Sequence, residues 1–337
     1  MNMWRPNRRT FYLCTVSVAL ELAMCVASAT GRPPLESIRP SSRLTSSSRQ
    51  QQTVSSVRVT DETGRTVEMP QMAQRIVSLA PNLTETLFAL GLGERVVGDT
   101  DFCDYPAEAR GKPHVGGPLN PNLEAIAALH PDLVLATRAI NRQDTVRSLE
   151  QLRIPVYATD PRNVEQVLAS TARLGELLGA SDHGKTVAAD LRRRLNDLAT
   201  RLAGSMAANV FFVVWQDPLI SVGRSTFLAD ALLRAGARSV IDAGQDWPNI
   251  NLEEVVRLRP EYLIYPSDDQ GQIRHEIDEL RGRPGWRDLE AVRRDRIVVV
   301  SEAISHPSPR LVDAIEQLAR VLHPERFLAA TAEAGGK

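Results

Sequence analysis

The chain has little of what most enzymes and metalloproteins carry. Cysteine occurs three times, at Cys14, Cys25 and Cys103. That set excludes a disulfide framework and any CxxC zinc site. There is no GxSxG, P-loop, HExxH or kinase signature. The six histidines, His114, His130, His183, His275, His306 and His323, are scattered and never stand at ligand spacing. Charge of one sign is missing too: 40 Lys and Arg face 41 Asp and Glu, so no overall field steers the chain to nucleic acid or an anionic membrane. The triple Arg192-Arg193-Arg194 lies opposite a leucine stripe and reads as a solvated face. Aromatic residues make up only 5% of the chain, so the place of each one is informative.

What is present is organised around a helical stretch from Asn163 to Leu202. Its second helix, from about Asp182, carries Val187, Leu191, Leu195, Leu198 and Leu202 on one stripe. Gly179 can end the first helix in the left-handed conformation, and Ser181 or Asp182 can cap the second. Sequence on the two sides repeats. Asn120-Pro121-Asn122-Leu123-Glu124 leads through Leu129, Pro131 and Asp132 into Leu133-Val134-Leu135-Ala136. Asn249-Ile250-Asn251-Leu252-Glu253 leads through Leu258, Pro260 and Glu261 into Tyr262-Leu263-Ile264-Tyr265, at a constant offset (251 − 122 = 129). Each copy predicts an Asn-capped helix that stops before Pro and is followed by a buried strand. A weaker echo sets Glu85, Leu87 and Gly91 against Asp230, Leu232 and Gly236. Two related α/β lobes flanking a helical strut are expected.

In chain order, Arg5, Arg8 and Arg9, then apolar Phe11 to Met24, then Ala27-Ser28-Ala29 read as a secretory signal over residues 1–29, with cleavage after Ala29. Glu21 and the short length argue against a transmembrane helix. Leu22-Ala23-Met24-Cys25 resembles a lipobox, with Met24 where Gly, Ala or Ser is usual; a lipid anchor at Cys25 is the alternative. Residues 30–56 are rich in Ser, Arg and Gln, and such a leader cannot bury enough surface to order itself. Order begins with a hairpin, Val57 to Thr60 and Thr66 to Met69. A buried strand (Arg75 to Leu79), a turn at Ala80-Pro81-Asn82 and a helix (Thr84 to Leu90) follow. Further strands are expected at Val96–Gly98, Leu133–Ala136, Pro155–Ala158, Val210–Trp215, Tyr262–Tyr265 and Ile297–Val300, and helices at Asp144–Leu152, Thr226–Ala235 and Leu311–Leu322. Strands alternating with helices mean a mostly parallel sheet in each lobe. The expected division is an N-terminal lobe over 57–181, a connecting helix over 182–203, a C-terminal lobe over 204–330 and a tail over 331–337.

Ligands of open α/β sheets bind at loops outside the carboxyl ends of the strands. Phe102 and Tyr105 fall in such a loop. Trp215 is expected at the end of the second lobe's first strand, and Trp247 in the loop that the repeat pairs with Gly117-Pro118. A tryptophan in either place can instead plug a lobe core. His306, in Ser305-His306-Pro307-Ser308-Pro309-Arg310 after the last strand, is a fourth candidate.

Arg75-Ile76-Val77-Ser78-Leu79-Ala80-Pro81-Asn82-Leu83-Thr84-Glu85, then Asp104-Tyr105-Pro106, then Asn122-Leu123-Glu124 to Pro131-Asp132-Leu133-Val134 closely resemble cobalamin-binding periplasmic proteins. These belong to the helical-backbone, class III substrate-binding proteins of ABC importers, which also take up iron siderophores and haem. The resemblance covers about Val57 to Phe327. It implies two Rossmann-like lobes joined by one rigid helix, with a corrinoid, or alternatively a haem or ferric siderophore, held between them. It implies no resident cofactor or metal, no catalysis, and a periplasmic monomer that delivers its cargo to a permease dimer with its ATPase. The family's Asp-Tyr-Pro tyrosine matches Tyr105, and its second-lobe tryptophan before Pro matches Trp247. A first-lobe tryptophan of some cobalamin binders has no counterpart, since Pro118 or Leu119 falls there. The resemblance also implies permease docking through one acidic residue on the first helix of each lobe: Glu85 and, where Glu is usual, Asp230. Both are expected to be exposed. An α/β hydrolase or reductase shares the fold class but needs the nucleophile or cofactor loop that this chain lacks. A sensor or scaffold that closes its lobes on another protein is a third possibility.

Overall fold

The computed structural model describes residues 56–328. The signal segment, Cys25, nearly all of the leader and the final tail lie outside the described residues. A hairpin of β1 (Ser56–Thr60) and β2 (Thr66–Pro70) opens the fold, antiparallel as its alternation predicts. The first lobe is a parallel sheet of β3 (Ile76–Ser78), β4 (Val96–Gly98), β5 (Leu133–Thr137) and β6 (Val156–Thr159), in the order β4-β3-β5-β6. Helices α1 (Pro81–Ala89), α2 (Leu123–Ala128) and α3 (Gln143–Gln151) connect these strands. The proline at 81 opens α1 at its first position, where a missing N–H costs nothing, so the expected turn at 80–82 is already helix.

Helices α4 (Val164–Leu177) and α5 (Ser181–Leu202) lead to the second lobe. Its parallel sheet contains β7 (Ala208–Phe212), β10 (Ala237–Ser239), β11 (Tyr262–Pro266) and β12 (Ile297–Val300), ordered β10-β7-β11-β12. Between them lie a small hairpin of β8 (Trp215–Gln216) and β9 (Leu219–Ile220) and helices α6 (Phe227–Arg234), α7 (Leu252–Leu258), α8 (Gln270–Gly282) and α9 (Glu290–Arg293). Helix α10 (Leu311–Leu322) closes the fold. One strand expectation needs correction. The strand predicted through Trp215 stops at Phe212, and Trp215 starts the separate hairpin with Ile220 opposite it. An unbroken apolar run cannot show that the chain turns from the sheet to the hairpin after Val213, whose amide still donates to the Ile264 carbonyl oxygen while that of Val214 donates to the Ile220 carbonyl oxygen.

The sheets have the same strand order, second-first-third-fourth, so the repeat is architectural. Leu133 and Tyr262 begin equivalent strands at the 129-residue offset. The Asn122 side chain accepts hydrogen bonds from the Glu124 and Ala125 amides, and that of Asn251 from the Glu253 amide. The residues before Pro131 and Pro260, His130 and Arg259, are both left-handed (φ 46° and 48°). Gly91 and Gly236 of the weaker echo are left-handed as well.

Helices α4 and α5 tie the lobes together. Val164, Val167 and Leu168 of α4 are in the second lobe's core, whereas Leu174 is in the first lobe's core. Leu191, Leu195 and Leu198 of α5 join the second-lobe core, and Val187 and Leu202 pack on its edge. At the other end, His183 Nε2 hydrogen-bonds the carbonyl oxygen of Ala89 at the end of α1. The left-handed Gly179 separates the two helices as predicted, but α5 begins without a side-chain cap. The helices touch at Gly175 and Gly184: a Cβ on Gly175 would stand 3.0 Å from Gly184 Cα, and one on Gly184 3.2 Å from the Ala172 carbonyl oxygen. Overpacking a contact made of backbone forces the helices apart. Gly184→Val is expected to lower stability by about 2 kcal/mol, read as a lower urea midpoint at unchanged slope.

Candidate ligand cleft between the lobes

The loops at the carboxyl ends of the first-lobe strands carry Phe102, Tyr105 and Arg138; those of the second carry Trp215, Trp247 and the segment 301–310. Tyr105 is the most exposed of the candidate aromatics, at 46%. Phe102 is half-buried, 3.5 Å from where a Cβ on Gly117 would lie. Trp215 is half-buried, and its Nε1–H donates to the Asp217 carbonyl oxygen (2.6 Å). Trp247 is half-buried against the second-lobe core. The structure brings the two tryptophans' segments together: β8 pairs with β9, Ile220 bridges to Asn249, and the Ser221 amide donates to the Pro248 carbonyl oxygen. The loop before Trp247 crosses so close to Gly223 that a Cβ there would fall 1.7 Å from the Gln245 carbonyl oxygen, a place only glycine fills.

Tyr105 and His306 meet at a second junction, built around Glu85. This residue corrects the expectation of an exposed docking carboxylate: Glu85 is only 4% exposed. Its carboxylate accepts hydrogen bonds from His306 Nδ1–H (2.9 Å), the Ser308 hydroxyl (2.5 Å) and Arg310 Nη1–H (3.1 Å), all from the second lobe. The Arg310 guanidinium also lies on the Tyr105 ring, 3.6 Å from its centroid. Asp230 is not free either. It is half-buried, accepting from the Val164 amide at the start of α4 (2.9 Å) and from Arg234 Nε–H (3.0 Å). Glu85 is not exposed as expected because nearly the whole of α1 is covered, seven of its nine residues being buried.

A chain of ion pairs also joins the lobes. Arg138 Nη1 donates to Asp160 (2.6 Å), and Arg162 grips Asp246 with two bonds from Nη2 (2.7 and 2.8 Å). The ends of β5 and β6 are thus tied to the loop that precedes Trp247. Arg162, Asp246, Ser308 and Arg310 were all missed in sequence. A lone arginine or serine carries no periodicity, although the run from Ser305 to Arg310 contains two of them beside the suspected His306.

Burial would raise the Glu85 carboxyl, but the His306 hydrogen bond and charge, then Ser308 and Arg310, hold it below the ordinary value. Burial would lower His306, yet its bond to Glu85 and the charges of Glu85 and Glu302 raise it. Glu302 itself is pushed up by burial and by the nearby Asp268 and Asp104. Elsewhere in the first lobe, burial pushes Asp99 up to about 6, against the hydrogen bond from His114. Cys103 is buried with its thiol pushed up to about 11 by desolvation, against hydrogen bonds from Thr100 and Thr84. Among the described residues no three His, Cys, Asp or Glu gather as a metal site. No described helix is long and apolar enough to cross a membrane.

Two doubly wound lobes with paired loop clusters facing across a helical junction define a two-lobed binding protein of the class III type. The chain belongs to the periplasmic binding protein family, which matches residues 76–303. It is 28% identical over 256 residues to the vitamin B12-binding protein of Vibrio cholerae serotype O1, covering 75% of this chain and 90% of that one. Over 296 residues it is 28% identical to an uncharacterized ABC transporter substrate-binding lipoprotein of Bacillus subtilis, covering 86% and 92%. Among solved structures it is similar to the periplasmic haem-binding protein of Roseiflexus sp. RS-1 in apo form, with TM-score 0.66 and 26% identity, covering 75% of this chain and 99% of that one.

The junction's pH dependence follows from its two titrating partners. Glu85, depressed, adds stability that is full above its ordinary 4.5 and lost as pH falls through its lower folded value. His306, raised, adds stability that is full below its ordinary 6.5 and lost as pH rises through its higher folded value. The junction is therefore firmest between these ordinary values. The destabilisation caused by His306→Gln, about 1–3 kcal/mol in mildly acidic buffer, is expected to shrink as pH is raised to 9. Denaturant unfolding of both proteins across that range checks it, and Asp99 cancels in the difference.

Proposed function

We propose that this chain is the periplasmic solute-binding protein of an ABC importer that captures cobalamin or a related corrinoid between its lobes. The observation that carries this reading is that both lobes bear exposed or half-buried aromatics in loops at the strand ends, Tyr105 and Phe102 in the first and Trp215 and Trp247 in the second. Large flat or apolar faces of a ligand are held best by rigid aromatic side chains in a concave site. The likeness to the Vibrio cholerae vitamin B12-binding protein supports the corrinoid. Haem is the second reading, favoured by the likeness to the Roseiflexus protein and by Pro118 or Leu119 where some cobalamin binders have tryptophan. In either case the cargo is the only ligand, no cofactor resides in the chain, and the protein acts by binding, as an exported monomer with residues 1–29 as its signal peptide.

Titration of the purified protein with cyanocobalamin, haemin and a ferric siderophore, followed by tryptophan fluorescence, separates these readings. A corrinoid is expected to bind most tightly. Tyr105→Ala and Trp247→Ala are each expected to weaken it roughly thirtyfold, the usual result of truncating a stacking aromatic in a desolvated pocket. Unchanged affinity in both variants removes them from the site.

Delivery needs a surface that two permease subunits can share. With Glu85 buried and Asp230 engaged, the carboxylates that the repeat leaves exposed in equivalent places are Glu124 and Glu253, each in the first turn behind its Asn cap. Charges at such an interface set encounter and register more than ligand affinity. Glu124→Lys with Glu253→Lys is expected to abolish uptake in a transport assay while leaving ligand affinity within about twofold. Full uptake by the double variant would show that these carboxylates are ordinary surface charges.

A further inference from the structure

Tyr105 sits in a first-lobe loop, but what lies on its ring comes from the other lobe. The Arg310 guanidinium is 3.6 Å from the ring centroid, and its Nη1–H is held by the buried Glu85 carboxylate of α1. Arg310 therefore bridges two first-lobe groups, the ring and the carboxylate, and leaves both if the lobes separate. With 46% of Tyr105 still exposed, the ring keeps surface for a ligand while the arginine lies on it. A planar guanidinium can stack on a ring and donate from its edge at once, which an ammonium cannot do. Ser308 and His306 donate to Glu85 as well, one to each carboxylate oxygen, so the carboxylate is fixed before it orients Arg310.

We propose that Arg310, anchored on Glu85, is the positioning residue for Tyr105: it sets the ring for ligand stacking only when the lobes are together. The inference rests on the reading that the cargo stacks on Tyr105, and it adds a coupling between lobe contact and ring orientation. Arg310 acts through the tyrosine and makes no contact of its own with the ligand.

The test uses the full-length protein carrying 3-fluorotyrosine at position 105, followed by fluorine NMR without ligand, together with titration by cyanocobalamin and haemin. Arg310→Gln and the isosteric Glu85→Gln are both expected to move the resonance in the same direction. Arg310→Lys is expected to move it too, since an ammonium keeps the charge but not the stack. Each is expected to weaken binding on the order of tenfold in the wild-type background. In a Tyr105→Leu background, Arg310→Gln is expected to cost nothing further. A resonance unchanged in both Arg310→Gln and Glu85→Gln overturns the proposal. So do additive affinity losses, which would place Arg310 on the ligand itself. Failure of the wild-type protein to bind either compound overturns the ligand reading alone, because the fluorine resonance judges the Arg310–Tyr105 contact without any ligand.

Discussion

The structure depends on one buried carboxylate. Glu85 belongs to the first lobe, but every side chain that hydrogen-bonds it belongs to the second. An ionised carboxylate loses several kcal/mol of hydration when it is taken out of water, so it is tolerated only where geometry and donors are nearly complete. Segment 306–310 meets that demand because it is stiff. Pro307 and Pro309 fix its backbone, the turn Glu302–Ser305 precedes it, and α10 begins directly after it. The cost of an incomplete junction is what keeps the lobes in register: if they slid apart, an uncompensated charge would remain.

This makes the cleft a place where contacts are set from across the gap. Arg310 orders Tyr105 from the far lobe, and Arg162, in the loop between β6 and α4, grips Asp246 next to Trp247. Both aromatics thus stand on loops whose partners lie outside the loops themselves. The helix pair α4 and α5 limits how far such partners can stray, since its glycine contact leaves no room for side chains between the helices. A rigid junction and cross-lobe clamps together preorganise the site, so less ordering is left for the ligand to induce.

Much of the fold was legible because it is repeated and periodic. The Asn caps at 122 and 251, the prolines at 131 and 260 and the apolar strands that follow have local causes, and local causes can be read in order along a chain. The Leu191, Leu195 and Leu198 stripe likewise announced the face of α5 that enters the core. What escaped depends on distance in space. Glu85 looked like a surface carboxylate, since nothing near it in sequence hints at donors more than two hundred residues away. The break of the predicted strand at Phe212 escaped for a related reason: Val213 and Val214 are as apolar as the strand itself.

The two lobes are alike in scaffold and unlike in the cleft, and this divides what each part can be for. Tyr105 and Trp247 occupy corresponding connections, from β4 to α2 and from β10 to α7, but these run over residues 99–122 and 240–251 and share little besides their ends. The repeat resumes at the Asn caps, where Glu124 and Glu253 stand in matched, exposed positions. A ligand with no internal symmetry needs two different walls, whereas a partner built from two like subunits needs two like handles. In the function proposed above, the matched helix positions serve the permease and the unmatched connections the cargo. The lobes therefore share the positions that build each sheet and differ in the connections that carry Tyr105 and Trp247.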